Sequence, residues 1–125
     1  EITVSNNFLK KKFGGTIIWH GRDTEAFNPE NFNKDLCKEK YSTGKKDKII
    51  MFFGSPRPHK GIEDLIKAVS LIKNSNIILV IVGVDERDQY CRNLVKNAKK
   101  MVGTRLKIFG LQTFEKVPEF LAIAD

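Results

Sequence analysis

Apolar positions along this chain follow two alternating rhythms: short runs of β-branched and aromatic residues, then stretches with an apolar residue every three or four positions, as strands followed by helices produce. Ile2 to Ser5 reads as a short strand; Ser5 or Asn6 caps a helix over Phe8 to Phe13, and Gly14-Gly15 stop it. Thr16 to His20 is a second strand closed by Gly21, Arg22 to Pro29 a linker, and a helix covers about Glu30 to Tyr41. From Lys48 the alternation becomes regular. Ile49 to Phe53 is a buried strand, and Ile62, Leu65, Ile66, Val69 and Ile72 share one face of a helix that opens near Gly61. Glu63 and Asp64 in its first turn and Lys73 in its last complement its dipole. Ile77 to Val82 is continuously apolar, as a strand covered on both faces is, and Gly83 ends it. Tyr90, Leu94, Val95, Ala98 and Met101 mark a helix stopped by Gly103. Leu106 to Phe109 is a third strand ending at Gly110, and Val117, Phe120, Leu121 and Ala124 mark a last helix that tolerates Pro118 in its first turn.

Three strand–helix units in succession predict an α/β fold with a partial Rossmann-like parallel sheet, preceded by a short N-terminal helix–strand segment. In the strand order 3-2-1-4-5-6 the Ile49 to Phe53 strand is central. The sequence stops at Ala124-Asp125, where another strand is expected, so one edge of that central strand is expected to be bare. Self-association through that edge, segment exchange between chains, or marginal stability is expected, unless another element covers the edge.

Composition narrows the classes. The 125 residues are 41% hydrophobic, enough for one domain with a core, and no apolar run approaches the length that spans a bilayer. There is neither a signal peptide nor an initiator Met, so the chain is read as beginning inside a longer protein. Cys37 and Cys91 have no partner at metal-ligand spacing, which argues against a zinc site or disulfide framework and for a reduced, cytoplasmic protein. The net charge of +7 raises nucleic acid or an anionic membrane as partners. Acids are interspersed with the cations almost throughout, which favours a solvated surface, and Lys45-Lys46-Asp47-Lys48 is the one dense patch.

The candidate chemistry lies between Phe53 and Ile62. A strand passes into a helix through Gly54-Ser55-Pro56-Arg57-Pro58-His59-Lys60-Gly61, and the amides of the turn, the helix dipole and the cations Arg57 and Lys60 together suit a diphosphate. The order Lys60-Gly61-Ile62 is not Walker A, and no G-x-G-x-x-G fingerprint is present. Gly54, Gly83 and Gly110 stand at equivalent strand ends, where a missing side chain lets a nucleotide approach the backbone or simply makes a turn.

The succession Val4-Ser5-Asn6, His20-Gly21-Arg22-Asp23 with Phe27 and Pro29, Phe53-Gly54 through Pro58-His59-Lys60-Gly61, Val80-Ile81-Val82-Gly83, Ile108-Phe109-Gly110 and Phe120 to Asp125 resembles the group 1 (family 4) glycosyltransferases of GT-B fold, over nearly the whole chain. The resemblance implies a nucleotide-sugar-dependent, metal-independent, retaining, hexosyltransferase-like enzyme of two Rossmann-like domains. Residues 1–29 then match the tail of the acceptor domain with the interdomain linker, and 30–125 the first half of the donor-binding domain. Lys60 matches the family's Lys-Gly lysine, which faces the leaving diphosphate. Ser55 stands where members commonly have Arg, so Arg57 is the candidate for that role. Gly54, Ser55, Gly61, Gly83, Val84, Phe109, Gly110 and Leu111 match positions around the nucleotide, the last few through their backbone. His20 and His59 are available as bases, but neither is assigned catalysis.

The family's two donor-site glutamates follow the Ala-Asp matched by Ala124-Asp125 and are absent here, so the sequence is expected to carry the diphosphate-facing half of a site and to be inactive alone. Its partners are a nucleotide-sugar and an unidentified acceptor, with no cofactor or nucleic acid, and with peripheral membrane association open for the parent. A noncatalytic nucleotide- or phosphate-binding module, and a basic domain for nucleic acid or anionic lipid, are the competing readings.

Overall fold

The computed structural model describes residues 2–19, 21 and 23–125. Its N-terminal part is a small β-α-β unit: β1 (Thr3–Val4) and β2 (Thr16–Ile17) pair in parallel around α1 (Asn7–Phe13). Asn6 caps α1 by accepting the Leu9 N–H at 2.9 Å, and Gly14 ends it in a conformation with φ of 72° that glycine adopts without strain. The second strand is therefore shorter than Thr16 to His20, and His20 itself lies outside the described residues.

The predicted helix from Glu30 is divided. Asn28 starts a single tight turn over Pro29–Asn31, Phe32 is extended, and Asn33 begins α2 (Lys34–Lys40) by accepting the Leu36 N–H at 3.1 Å. Two capping asparagines so close together start two short elements instead of one long one.

The main sheet is parallel, in the order β3-β4-β5, formed by β3 (Lys48–Phe53), β4 (Ile77–Val84) and β5 (Leu106–Gly110). The α/β architecture is as the sequence predicts. β3 is an edge strand of this sheet and β4 its centre, which is why β4 is the continuously apolar strand: Leu79, Val80, Ile81 and Val82 are completely buried. Alternate residues of β4 serve opposite layers. Leu79 and Ile81 face α3 (Ile62–Leu71) and α4 (Gln89–Val102), packing with Ile62, Ile66, Val69 and Leu94. Val80 and Val82 face α2 and α5 (Val117–Ile123), packing with Ile49, Cys37, Phe120 and Ile123. On that second side Phe120 stacks on Tyr41 at 4.1 Å and meets Phe109 edge-on at 5.1 Å; such pairs contribute about 0.5–1.5 kcal/mol each beyond their burial. Glu119 ties the same layers together, accepting from Lys40 at 2.6 Å and from the Tyr41 hydroxyl at 2.9 Å.

Further boundaries differ from expectation, Ala124 among them, which is the extended cap of α5 and not part of it. Lys73 lies beyond α3, which ends at Leu71 with Ile72 as its cap. Gly83 does not end β4; the strand runs one residue further and pairs Val82 with Phe109 and Val84 with Gly110, leaving Gly83 as a bulge. The outer edge of β3 is partly occupied. Asp125 donates its N–H to the Ile49 carbonyl at 3.1 Å and accepts the Ile49 N–H on its carboxylate at 2.9 Å.

Candidate diphosphate site

β3 delivers the chain to Gly54, whose N–H continues the ladder to the Val82 carbonyl at 2.9 Å and whose φ of 125° turns it off the sheet. Buried Pro56 anchors the loop, a tight turn covers Pro58–Lys60, and Gly61, in a left-handed conformation with φ of 65°, is the residue from which α3 starts. Ile62, fully buried, fixes the first turn of α3 against the core. No side chain caps this helix. Its first-turn amides and dipole are thus directed at the space beyond β3. The contrast with α4 is instructive: there Asp88 fills the corresponding position, accepting the N–H groups of Tyr90 at 2.8 Å and Cys91 at 3.4 Å.

The two candidate cations are in different states. Lys60 is exposed, makes no ion pair among the described residues, and holds its Nζ 3.6 Å from where a Cβ on Gly54 would stand. Arg57 is engaged: its Nη1 donates to Asp88 Oδ2 at 2.8 Å and to its own Pro56 carbonyl at 3.0 Å. A second link runs beside it, from the Tyr90 hydroxyl to Glu63 in the first turn of α3. Burial first, then this carboxylate, push the Tyr90 hydroxyl up to about 12. Together the two contacts fix the start of α3 to the start of α4, and the carboxylate of Glu63 has a partner within the protein.

The glycines also separate. A Cβ on Gly83 would stand 2.7 Å from the Gly54 carbonyl oxygen, so the space a side chain would need at Gly83 is taken by protein backbone. Gly54 and Gly61 have positive φ and open surroundings, and Gly110 has room for a side chain, with the Val84 carbonyl oxygen at an ordinary 3.7 Å. Val84 and Phe109 turn their side chains inward, Val84 into the α3–α4 core and Phe109 against Tyr41 and Phe120. What they can offer a ligand is backbone. Leu111 is 57% exposed just past β5, and the Gly110 carbonyl accepts from Gln112 at 3.1 Å. Ser55 is half-buried in the loop, and His59 is exposed in the tight turn. Both His20 and Arg22 lie outside the described residues.

Gly54, Lys60, Gly61 and the start of α3 therefore form one cationic rim, with Gly110 and Leu111 at the end of the far strand of the same sheet. Asp88 is the neighbour of this candidate site that sequence reading missed. Its signal was present: an Asp placed just before the periodic Tyr90, Leu94 and Ala98 is an N-cap pattern, though nothing in the sequence pairs it with Arg57.

Comparison with known proteins bears on the family and the fold. The family described as Glycosyl transferases group 1 matches residues 33–125. A solved glycosyltransferase from Rickettsia africae ESF-5 superposes with a TM-score of 0.71 over 98% of this chain at 22% identity, a likeness of fold. The C-terminal domain of LpcC, a group 1 family glycosyl transferase from Francisella tularensis, superposes with a TM-score of 0.66 over 84% of this chain at 25% identity. The chain spans 36% and 56% of the lengths of those two structures. No curated protein sequence gives a significant match.

Proposed function

Because the chain belongs to the group 1 glycosyl transferases, we propose that it holds the diphosphate of a nucleotide-sugar donor while the sugar passes to an acceptor. The observation that carries this reading is the position of Lys60: an exposed ammonium without an ion-pair partner among the described residues, over the open face of Gly54 and beside a helix start that no side chain caps. When the bond from the anomeric carbon to the diphosphate breaks, negative charge grows on the leaving oxygen. A fixed cation and oriented amides stabilise that charge more than they stabilise the bound donor, which is the condition for acceleration. Lys60 is the residue we assign to this role. Arg57, held through its Nη1 by Asp88 and the Pro56 carbonyl, has the geometry of a group that fixes the loop, with the rest of its guanidinium fork on hand for an anion. Backbone groups of Gly83, Val84, Phe109, Gly110 and Leu111 are assigned to the nucleoside.

The division at about residue 29 into the end of an acceptor domain and the start of a donor domain is part of the same proposal. It is supported by the separate sheet of residues 3–17 and by a family match that begins at residue 33. Retention, hexosyl transfer and independence of metal come from the family resemblance. Cytoplasmic placement rests on Cys37 and Cys91, both free and buried. Among the described residues no helix is long and apolar enough to cross a membrane. Since these residues span 36% of a whole glycosyltransferase, turnover is assigned to the complete enzyme, and this stretch by itself is expected to bind without transferring.

Calorimetric titration tests the assignment. A nucleoside diphosphate is expected to bind more tightly than the corresponding monophosphate, and Lys60→Ala to weaken it by about ten-fold or more, as loss of a charge-assisted contact does. Equal binding by wild type and Lys60→Ala would refute the assignment.

A further inference from the structure

The cations of this protein divide by whether an acid answers them. Near α2, Lys34, Lys38 and Lys48 converge on Asp125, and Lys40 pairs with Glu119. On α4 the situation is reversed. Arg92, Lys96 and Lys99 are spaced four and three residues apart and so share one stripe, with Lys100 beside it. From Gln89 to Phe114 the sequence contains no Asp or Glu at all. Lys96, Lys99 and Lys100 make no ion pair among the described residues, and Arg92 turns back to the carbonyls of Glu86 and Arg87. Along this stripe runs a groove of about 640 Å³ whose apolar lining includes Val84, Val95 and Ile108, with Lys96 and Lys99 among its walls and Glu86 its one acid. Gly54, Lys60, Gly61 and Gly110 do not line it, so it is distinct from the diphosphate rim, and of the positions assigned to the nucleoside it shares Val84 alone.

We propose that this face of α4 docks on an anionic bilayer surface, its lysines at the level of the lipid phosphates and the groove taking up part of an acyl chain. Charge complementarity selects an anionic partner for a stripe that no acid among the described residues pairs with. The apolar groove selects among such partners. Lipid supplies phosphate and hydrocarbon at the same depth, and lysine stems lie along apolar surface while their ammonium groups stay in water. A nucleic acid gains nothing from the aliphatic lining, and the stripe carries no aromatic residue on which a base could stack.

Vesicle flotation of the intact protein tests this. Binding is expected to phosphatidylcholine vesicles containing phosphatidylglycerol and not to phosphatidylcholine alone, and to weaken as salt is raised. Lys96→Glu with Lys99→Glu is expected to cut binding by at least about ten-fold, whereas the same charge change at Lys45 and Lys46 costs less than about three-fold. Val95→Asn, with charge unchanged, is expected to weaken binding by about three-fold or more. Circular dichroism establishes that each variant is folded, and wild-type lipid and salt dependence stands without any variant. Absence of binding, equal binding to neutral vesicles, equal losses in the two double variants, or an unaltered Val95→Asn would each overturn the proposal. So would tighter retention on a DNA duplex or on soluble polyglutamate through the same lysines. None of these readouts depends on nucleotide binding.

Discussion

Gly83 and Gly54 meet backbone to backbone: the Cβ that any other residue would place at Gly83 falls 2.7 Å from the Gly54 carbonyl oxygen, and Gly83 already has a φ of 101°. The bulge in β4 thus supports the turn that leaves β3. Gly83→Ala is expected to destabilise the protein by about 2–4 kcal/mol, from backbone strain plus displacement of the Gly54 turn. Gly110→Ala, where a Cβ meets nothing closer than 3.7 Å, is expected to stay within about 0.5 kcal/mol. Urea unfolding of the two variants makes the comparison.

Lys60 and Arg57 are expected to behave differently on truncation. Lys60→Ala removes an exposed side chain with no ion pair among the described residues, so unfolding free energy is expected to change by less than about 0.5 kcal/mol while diphosphate affinity falls. Arg57→Ala breaks a partly exposed pair with Asp88 and is expected to cost up to about 1 kcal/mol of stability, with the smaller effect on affinity. A larger affinity loss for Arg57→Ala would mean that Arg57 contacts the ligand directly.

Asp125 closes the edge of β3 at Ile49 and answers three lysines, of which Lys38 is almost completely buried. Asp125→Asn keeps the shape and removes the charge, leaving the Lys38 ammonium, among the described residues, with the Asp47 carbonyl. A loss of about 1–3 kcal/mol is expected in denaturant unfolding, the range for a hydrogen-bonded charge deprived of its counterpart.

Acid should find the same contacts. Burial by itself would raise the Asp125 carboxyl, but the Ile49 N–H and the ammonium groups of Lys34 and Lys48 overcome it and hold the group below the ordinary 3.8. For Glu119 the hydrogen bond from Lys40 comes first among the causes that lower it from 4.5. A carboxyl lowered in the folded state is ionised there while the unfolded chain takes up protons, so its stabilisation is complete above the unfolded pKa and lost as pH falls toward the folded one. The melting temperature is expected to be flat from pH 7 to about 5 and to fall below that. Asp125→Asn is expected to flatten the acid limb.

Local signals carried most of the fold. The unbroken apolar run Ile77 to Val82 is the strand with sheet on both sides and helices on both faces, and Asn6, Gly14, Gly61 and Gly103 mark boundaries where backbone chemistry demands them. What escaped depends on pairing across distance. The bulge at Gly83 is a matter of register against β5, which period-two patterning does not encode. The Arg57–Asp88 contact joins positions 31 apart, and Asp125 reaches Lys34 across 91, so neither cation's state was visible in its own neighbourhood. In the site, the loop and its lysine were legible because a strand, a turn rich in Gly and Pro, and a helix start lie consecutively in sequence. The engagement of Arg57 and the inward turn of Val84 and Phe109 were not.

The most direct test of the central claim is amide chemical-shift mapping of the folded protein with a nucleoside diphosphate. The account predicts saturable shifts at Gly54, Lys60, Gly61 and Ile62, with weaker ones at Gly110 and Leu111, and their loss in Lys60→Ala. An unperturbed Gly54–Ile62 segment at millimolar ligand, or shifts confined to the α4 lysines, would contradict it.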